Sequence, residues 1–202
     1  MRQDRRCFPV LPLLTMADSY DRVAAVEYND TGNKTEGQGK TMSEICLAGG
    51  CFWGLQKFFD QFDGVIRTEV GYANGPDKKP SYQDVCNDSG HAETVRIKYD
   101  EELMPLEKLL DSYFLVIDPT SVNRQGHDEG IQYRTGIFYT DECQKPVIMK
   151  VYEREEKKAG KKLAVIVEPL RNFFSAEEYH QKYLEKNPGG YCHIPAKYYT
   201  LG

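Results

Sequence analysis

The chain has 202 residues, 40% of them hydrophobic, with 14 Tyr and 9 Phe. That suffices for one packed domain, or one domain with a tail. A formal charge of −5 and a pI near 5.5 offer no basic footprint for nucleic acid or an anionic membrane surface, and no apolar run reaches the length of a membrane-crossing helix.

Residues 1–42 differ in composition from the rest of the chain. The stretch from Met1 to Leu14 is a weak imitation of a signal peptide: its apolar part is short, Pro9 and Pro12 interrupt it, and no small-residue cleavage site comes after it. A cytoplasmic location is therefore expected. Residues 19–28 allow either a short helix or a strand, and Asn29 to Lys40 is polar and glycine-rich, as a linker would be. The expected organisation is a flexible N-terminal extension over 1–42 and a catalytic domain over 43–202.

From Ser43 the patterns alternate. Residues 43–48 read as a buried strand. Phe52, Leu55, Phe58, Phe59 and Phe62 recur at helical spacing over 52–62. A strand is expected at 65–72 after the Asp63-Gly64 turn, then a loop over 73–80 and a short ordered segment over 81–87. His91 to Tyr99 alternates as a strand, with Val95, Ile97 and Tyr99 on one face. Pro105 opens a helix with Leu106, Leu109, Leu110, Tyr113 and Phe114 inward. A long polar loop covers 118–134. Then come a strand at 135–140, a charged helix from Asp141 to about Ala159, a strand at 163–170 and a last helix at 176–186. The order β-α-β-β-α-β predicts an α+β fold with a ferredoxin-like (split βαβ) core, extended by further helices and long loops.

Cys51 lies at the predicted strand-to-helix turn, between Gly50 and the aromatic pair Phe52-Trp53. The positive end of the helix dipole and free N–H groups there favour a thiolate, and the two rings would wall an apolar pocket beside it. Cys51 is equally read as a small buried hydrophobe. Glu93, at the start of the third strand, would be held protonated by desolvation and act as a general acid. Tyr82 and Tyr133 would add phenol donors around one oxygen, although in a chain of 14 tyrosines either suits a core or rim position. Cys192, in a glycine-rich tail, is placed as a resolving thiol, with Cys86 as its rival. Cys46 and Cys143 read as structural. Arg124, Asp128 and Arg134 in and beside the long loop suit either a polar brace or a salt-bridge network. No CxxC, HxxxH or nucleotide-binding glycine pattern occurs, so no metal or prosthetic group is expected.

These clues fall in a distinctive order: Gly50-Cys51-Phe52-Trp53, Gly71-Tyr72-Ala73-Asn74-Gly75, Gly90-His91-Ala92-Glu93-Thr94-Val95, Asp118-Pro119-Thr120 with Asn123-Arg124-Gln125-Gly126 and Gln132-Tyr133-Arg134, and Ala176-Glu177-Glu178-Tyr179-His180-Gln181. Over about residues 43–194 the chain resembles the A-type peptide methionine sulfoxide reductases. The resemblance implies reduction of methionine S-sulfoxide, protein-bound or free, with no cofactor beyond thioredoxin or a dithiol. It makes Cys51 the nucleophile, Glu93 the acid, and Tyr82 and Tyr133 the phenols that hold the sulfoxide oxygen. Phe52 and Trp53 become the wall for the substrate methyl, and Asp128 a polar support. Cys192 would form the disulfide that thioredoxin reduces. A monomer with no nucleic-acid or membrane partner is expected, without the R-epimer activity of fused enzymes.

Three positions depart from the family pattern: Ile117 stands where many members have histidine, Asn74 where glycine is usual, and Thr135-Gly136 where a Ser-Ala type pair is more usual. Gly54 occupies a position that is cysteine in some members. Two other readings compete: a metal or redox-sensing module built on six cysteines and Cys192-His193, and a general thiol–disulfide oxidoreductase, which the missing CxxC disfavours.

Overall fold

The computed structural model describes residues 41–200 and, as backbone alone, Glu27–Tyr28 and Lys34–Thr35, which pair antiparallel with each other. The remaining expectations for the first forty residues, and Cys7, lie outside the described residues.

Beside shorter turns, a small hairpin and a one-turn helix, the unit from Thr41 onward has ten main elements. They are β1 (Met42–Ala48), α1 (Phe52–Asp60), β2 (Val65–Ala73), α2 (Tyr82–Cys86), β3 (Ala92–Asp100), α3 (Leu106–Val116), β4 (Gly136–Tyr139), α4 (Lys145–Ala159), β5 (Ile166–Pro169) and β6 (Phe173–Ser175). Six strands form one sheet in the order β6-β2-β3-β1-β4-β5. All neighbours are antiparallel except the pair β4 and β5.

Alternation along β1 decides the layering. Ile45 and Leu47 point to one face, where they join Val95, Ile97 and Tyr99 of β3 and the apolar residues of α1, α3 and α4 in the main core. Cys46 and Ala48 point to the other face, covered by Ala73, Ala92, Phe138 and the edge residues Ile166, Leu170 and Phe173. Helices therefore lie on one side of the sheet. Phe58 and Phe59 are fully buried, and truncating either to Ala would cost about 3–5 kcal/mol.

The same register gathers one end of the sheet into a site. Ala48, the last residue of β1, pairs with Thr94 on one side and Gly136 on the other. Tyr72, near the end of β2, pairs with Glu93. The turn carrying Cys51, the start of β3 and the approach to β4 thus meet although some 80 residues separate their extremes in the chain. Glu93 shares its face with Val95 and Ile97, so it points toward the helices.

The structure departs from expectation after residue 170. Phe173–Ser175 is a strand, pairing with the end of β2 at the opposite edge of the sheet from β5. The helix expected over 176–186 is helical only at Tyr183–Lys186. The reason is that polar side chains in 176–182 are turned inward onto β2. Gln181 accepts from the Val70 N–H at 3.0 Å and donates to the Val70 carbonyl at 2.8 Å, closing the sheet edge that β6 leaves open. Lys182 sits at φ 53, which ends one turn before the next begins. The charged helix starts later than expected, at Lys145, because Asp141 caps a short 3-10 turn over Glu142–Gln144.

Candidate active site

Cys51 is the N-cap of α1, and Gly50 at φ 79 makes the turn into it. The helix end favours an ionised thiol at Cys51, but its residue is 7% exposed, and burial pushes the thiol well above the usual range, with the charge of Glu93 adding to the effect. The Trp53 N–H pulls the other way but does not balance the loss of water. The Phe52 N–H, which also faces out from this helix end, is taken by Glu93 Oε2 at 3.1 Å.

Glu93 is 2% exposed. Burial pushes its carboxyl up to about 8, against the Phe52 N–H, with Asp128 adding to the rise. The acid is therefore mainly protonated at neutral pH. Tyr82 and Tyr133 are half-buried and pack on the main core. Burial raises both phenols. The Cys86 thiol then acts on Tyr82 by a hydrogen bond and Glu93 acts on Tyr133 by its charge. Both phenols lie within electrostatic reach of Cys51 and Glu93.

The aromatic pair divides its work. Phe52 is 1% exposed and packs inward against Tyr72 and His180, with ring centroids 5.9 and 5.2 Å away. Trp53 lies further out, stacked on Tyr183 at 3.7 Å, and its indole N–H donates to His180 Nδ1 at 3.1 Å. His180 is 1% exposed and also packs on Tyr82 at 4.6 Å. Glu177 accepts from the Tyr82 N–H at 3.0 Å and from the Tyr72 hydroxyl at 2.7 Å. The 176–181 motif is visible in the sequence, but the tasks of its side chains are not. A histidine and a glutamate inside a segment that reads as a surface helix give no signal of burial.

The long loop is ordered by its own polar groups. Asp118 accepts from the Thr120 N–H and hydroxyl at 2.9 and 2.7 Å, and the Gln125 amide clasps both the N–H and the carbonyl of Asp118 at 2.7 and 2.8 Å. Arg124–Gln125 pairs with Asp128–Glu129 in a small hairpin. The Gly50 N–H donates to the Tyr133 carbonyl at 3.3 Å, tying the loop to the Cys51 turn. Arg134 donates to the carbonyls of Asn74, Gly90 and Ile131, while Asp128 accepts from the Tyr191 hydroxyl at 3.1 Å. The loop residues thus act as hydrogen-bonding braces rather than as a mutual ion-pair network.

The other departures are accommodated locally. Asn74 adopts φ 50, a conformation that Asn tolerates better than most other non-glycine residues, and its amide holds the Pro169 carbonyl and the Arg171 N–H. Ile117 is buried against Gly49, where a Cβ would come within 2.8 Å of it.

Of the remaining cysteines, Cys46 is buried in the minor core, whereas Cys143 and Cys86 are exposed. Cys192 is partly buried. Its thiol lies 2.7 Å from the Tyr199 hydroxyl and against Gly54, on the first turn of α1, within electrostatic reach of Cys51.

A buried cysteine at the start of a helix, with a buried carboxyl hydrogen-bonded to the next N–H, is a candidate site for thiol chemistry in which a proton is supplied. The comparisons with known proteins name the family. The model for peptide methionine sulfoxide reductase matches residues 43–200. Peptide methionine sulfoxide reductase MsrA of Clostridium acetobutylicum is 56% identical over 155 residues, covering 76% of this chain and 96% of the relative. The reduced form of Mxr1 from Saccharomyces cerevisiae superposes with a TM-score of 0.73 at 35% identity, covering 85% of this chain and 96% of that one. Mxr1 in complex with Trx2 gives 0.51 at 25% identity, covering 79% and 90%. The chain belongs to the peptide methionine sulfoxide reductase family.

Proposed function

We propose that this chain reduces the S epimer of methionine sulfoxide, free or in proteins, with Cys51 as nucleophile and Glu93 as proton donor. The observation that carries the reading is the buried Glu93 carboxyl, hydrogen-bonded to the N–H of the residue next to Cys51. The substrate oxygen would accept hydrogen bonds from Glu93, Tyr82 and Tyr133, and its methyl would lie on Phe52 and Trp53. Glu93 gives its proton to the sulfoxide oxygen as the Cys51 sulfur attacks the sulfoxide sulfur, and the thiol proton returns to the carboxylate. The oxygen then passes from the substrate sulfur to the Cys51 sulfur: the substrate S–O bond breaks, an S–O bond forms on Cys51, and the transient S–S bond cleaves with its electron pair on the substrate sulfur, so methionine leaves and Cys51 remains as a sulfenic acid. Exchanging one proton for another keeps the buried pocket neutral throughout, which suits two acids that are both protonated at rest.

The Cys192 thiol then attacks the sulfenic sulfur, giving a Cys51–Cys192 disulfide and water. Packing of Cys192 on the first turn of α1 supports this choice, whereas Cys86 is exposed. A thioredoxin-type dithiol closes the cycle, a step supported by the Mxr1 complex with Trx2. Residues 43–202 form the catalytic domain, and the start of the family match at residue 43 supports that boundary. The core reads as a split βαβ, supported by the antiparallel order β2-β3-β1-β4. Incubation with dithiothreitol and each epimer separately tests the activity: loss of the S epimer alone is expected, and equal turnover of both, or of neither, defeats the reading.

A further inference from the structure

His193 comes directly after Cys192, yet its side chain is only 4% exposed. Neither ring nitrogen makes a hydrogen bond of normal geometry, which is rare for a buried imidazole. The ring lies along the first turn of α1. A Cβ on Gly50 would sit 3.1 Å from Cε1 and Nε2, and one on Gly54 would sit 3.3 and 3.4 Å from Cε1 and Nδ1. That same point above Gly54 is 3.0 Å from the Cys192 Sγ. Cys51 lies between the two glycines, so the ring spans the nucleophile's turn with the second thiol at one of its ends.

Asp128, on the small hairpin, has Oδ2 at 4.0 Å from Nδ1 and also accepts from the Tyr191 hydroxyl, and the Cys192 thiol at the ring's end lies 2.7 Å from the Tyr199 hydroxyl. Burial holds the imidazole below the usual histidine range, although Asp128 and the Gly49 backbone favour its charged form. The ring is thus neutral near pH 7 and able to take a proton.

Disulfide formation needs such a group. The attacking sulfur must become a thiolate, and hydroxide is a poor leaving group from a sulfenic acid. We propose that His193 carries the proton for this second step, taking it from the Cys192 thiol and delivering it to the sulfenic oxygen of Cys51. The Sγ–Sγ bond forms, the S–O bond breaks, and the oxygen departs as water. The inference rests on the reading that Cys192 resolves the sulfenic acid. The first step does not involve His193, because Glu93 and Cys51 exchange protons between themselves.

The test mixes pre-reduced enzyme with excess methionine S-sulfoxide in the absence of reductant, quenching at intervals. Methionine released, sulfenic acid trapped with dimedone, and the Cys51–Cys192 disulfide are each quantified. In His193→Gln the methionine burst is expected to keep its rate and its one-equivalent amplitude, which also shows that the variant is folded. Sulfenic acid should accumulate and disulfide formation slow by about 10²-fold or more. The wild-type disulfide rate should fall as acid protonates the ring, a limb absent from the variant, and free imidazole should partly restore His193→Ala. An unchanged disulfide rate, or a burst slowed as much as the second step, overturns the proposal. A Cys51–Cys86 disulfide in the wild-type peptide map overturns the choice of Cys192 and the proposal with it. That result needs no His193 variant, so the two failures are told apart.

Discussion

The carboxyl of Glu93 accepts the N–H of Phe52 at 3.1 Å, so the acid and the Cys51 thiol divide between them the N–H groups at one helix end. Neither group draws enough from that shared end to ionise in a pocket closed to water. The site therefore rests as two neutral acids side by side, and proton exchange between them replaces a standing thiolate.

The acid form of Glu93 should be visible in the pH profile. With its carboxyl raised from 4.5 to about 8, the first step is expected to hold its rate below that pH and to fall as pH rises through about 8. Glu93→Gln should lower the single-turnover rate by about 10²–10⁴-fold and remove that limb. A variant retaining wild-type rate would eliminate Glu93 as the proton donor.

The same shift links protonation to stability. A carboxyl whose folded pKa lies above its unfolded value binds more protons when folded, so its contribution to stability is greatest below about 4.5 and declines as pH rises toward about 8. Urea midpoints measured across this window should decline more steeply for the wild type than for Glu93→Gln.

Tyr82→Phe and Tyr133→Phe each remove one donor to the substrate oxygen. Each should slow methionine formation by on the order of 10²-fold in single-turnover experiments. Because burial keeps both phenols protonated, neither variant should displace the limb near pH 8.

The cysteines separate the two halves of the cycle. Cys51→Ser should yield no methionine at all. Cys192→Ser should complete one turnover and then stall with thioredoxin as reductant. Cys86→Ser should cycle normally, and failure of that variant to cycle would reassign the resolving thiol.

Gly71 tests the crossing strand. A Cβ there would lie 2.4 Å from the Phe173 ring and 2.6 Å from the Phe174 carbonyl oxygen, so β6 must shift to admit it. Gly71→Ala should cost about 1–3 kcal/mol in urea unfolding.

What the sequence determined by itself was whatever depends on neighbours within a few residues. The Ile45–Ala48 run, the helical spacing from Phe52 to Phe62 and the glycines around Cys51 define strand, helix and turn without reference to the rest of the chain. Residues 173–186 defeated local reading because their order comes from across the sheet: Gln181 is spent on Val70, and Glu177 on Tyr72 and Tyr82. Nothing local signals the burial of the His180 and His193 side chains, which packing against α1 produces. Only the tertiary structure decided the charge on Cys51. The helix dipole acting on it is a local property, whereas exclusion of water is produced by elements far apart in sequence, and here the second outweighs the first.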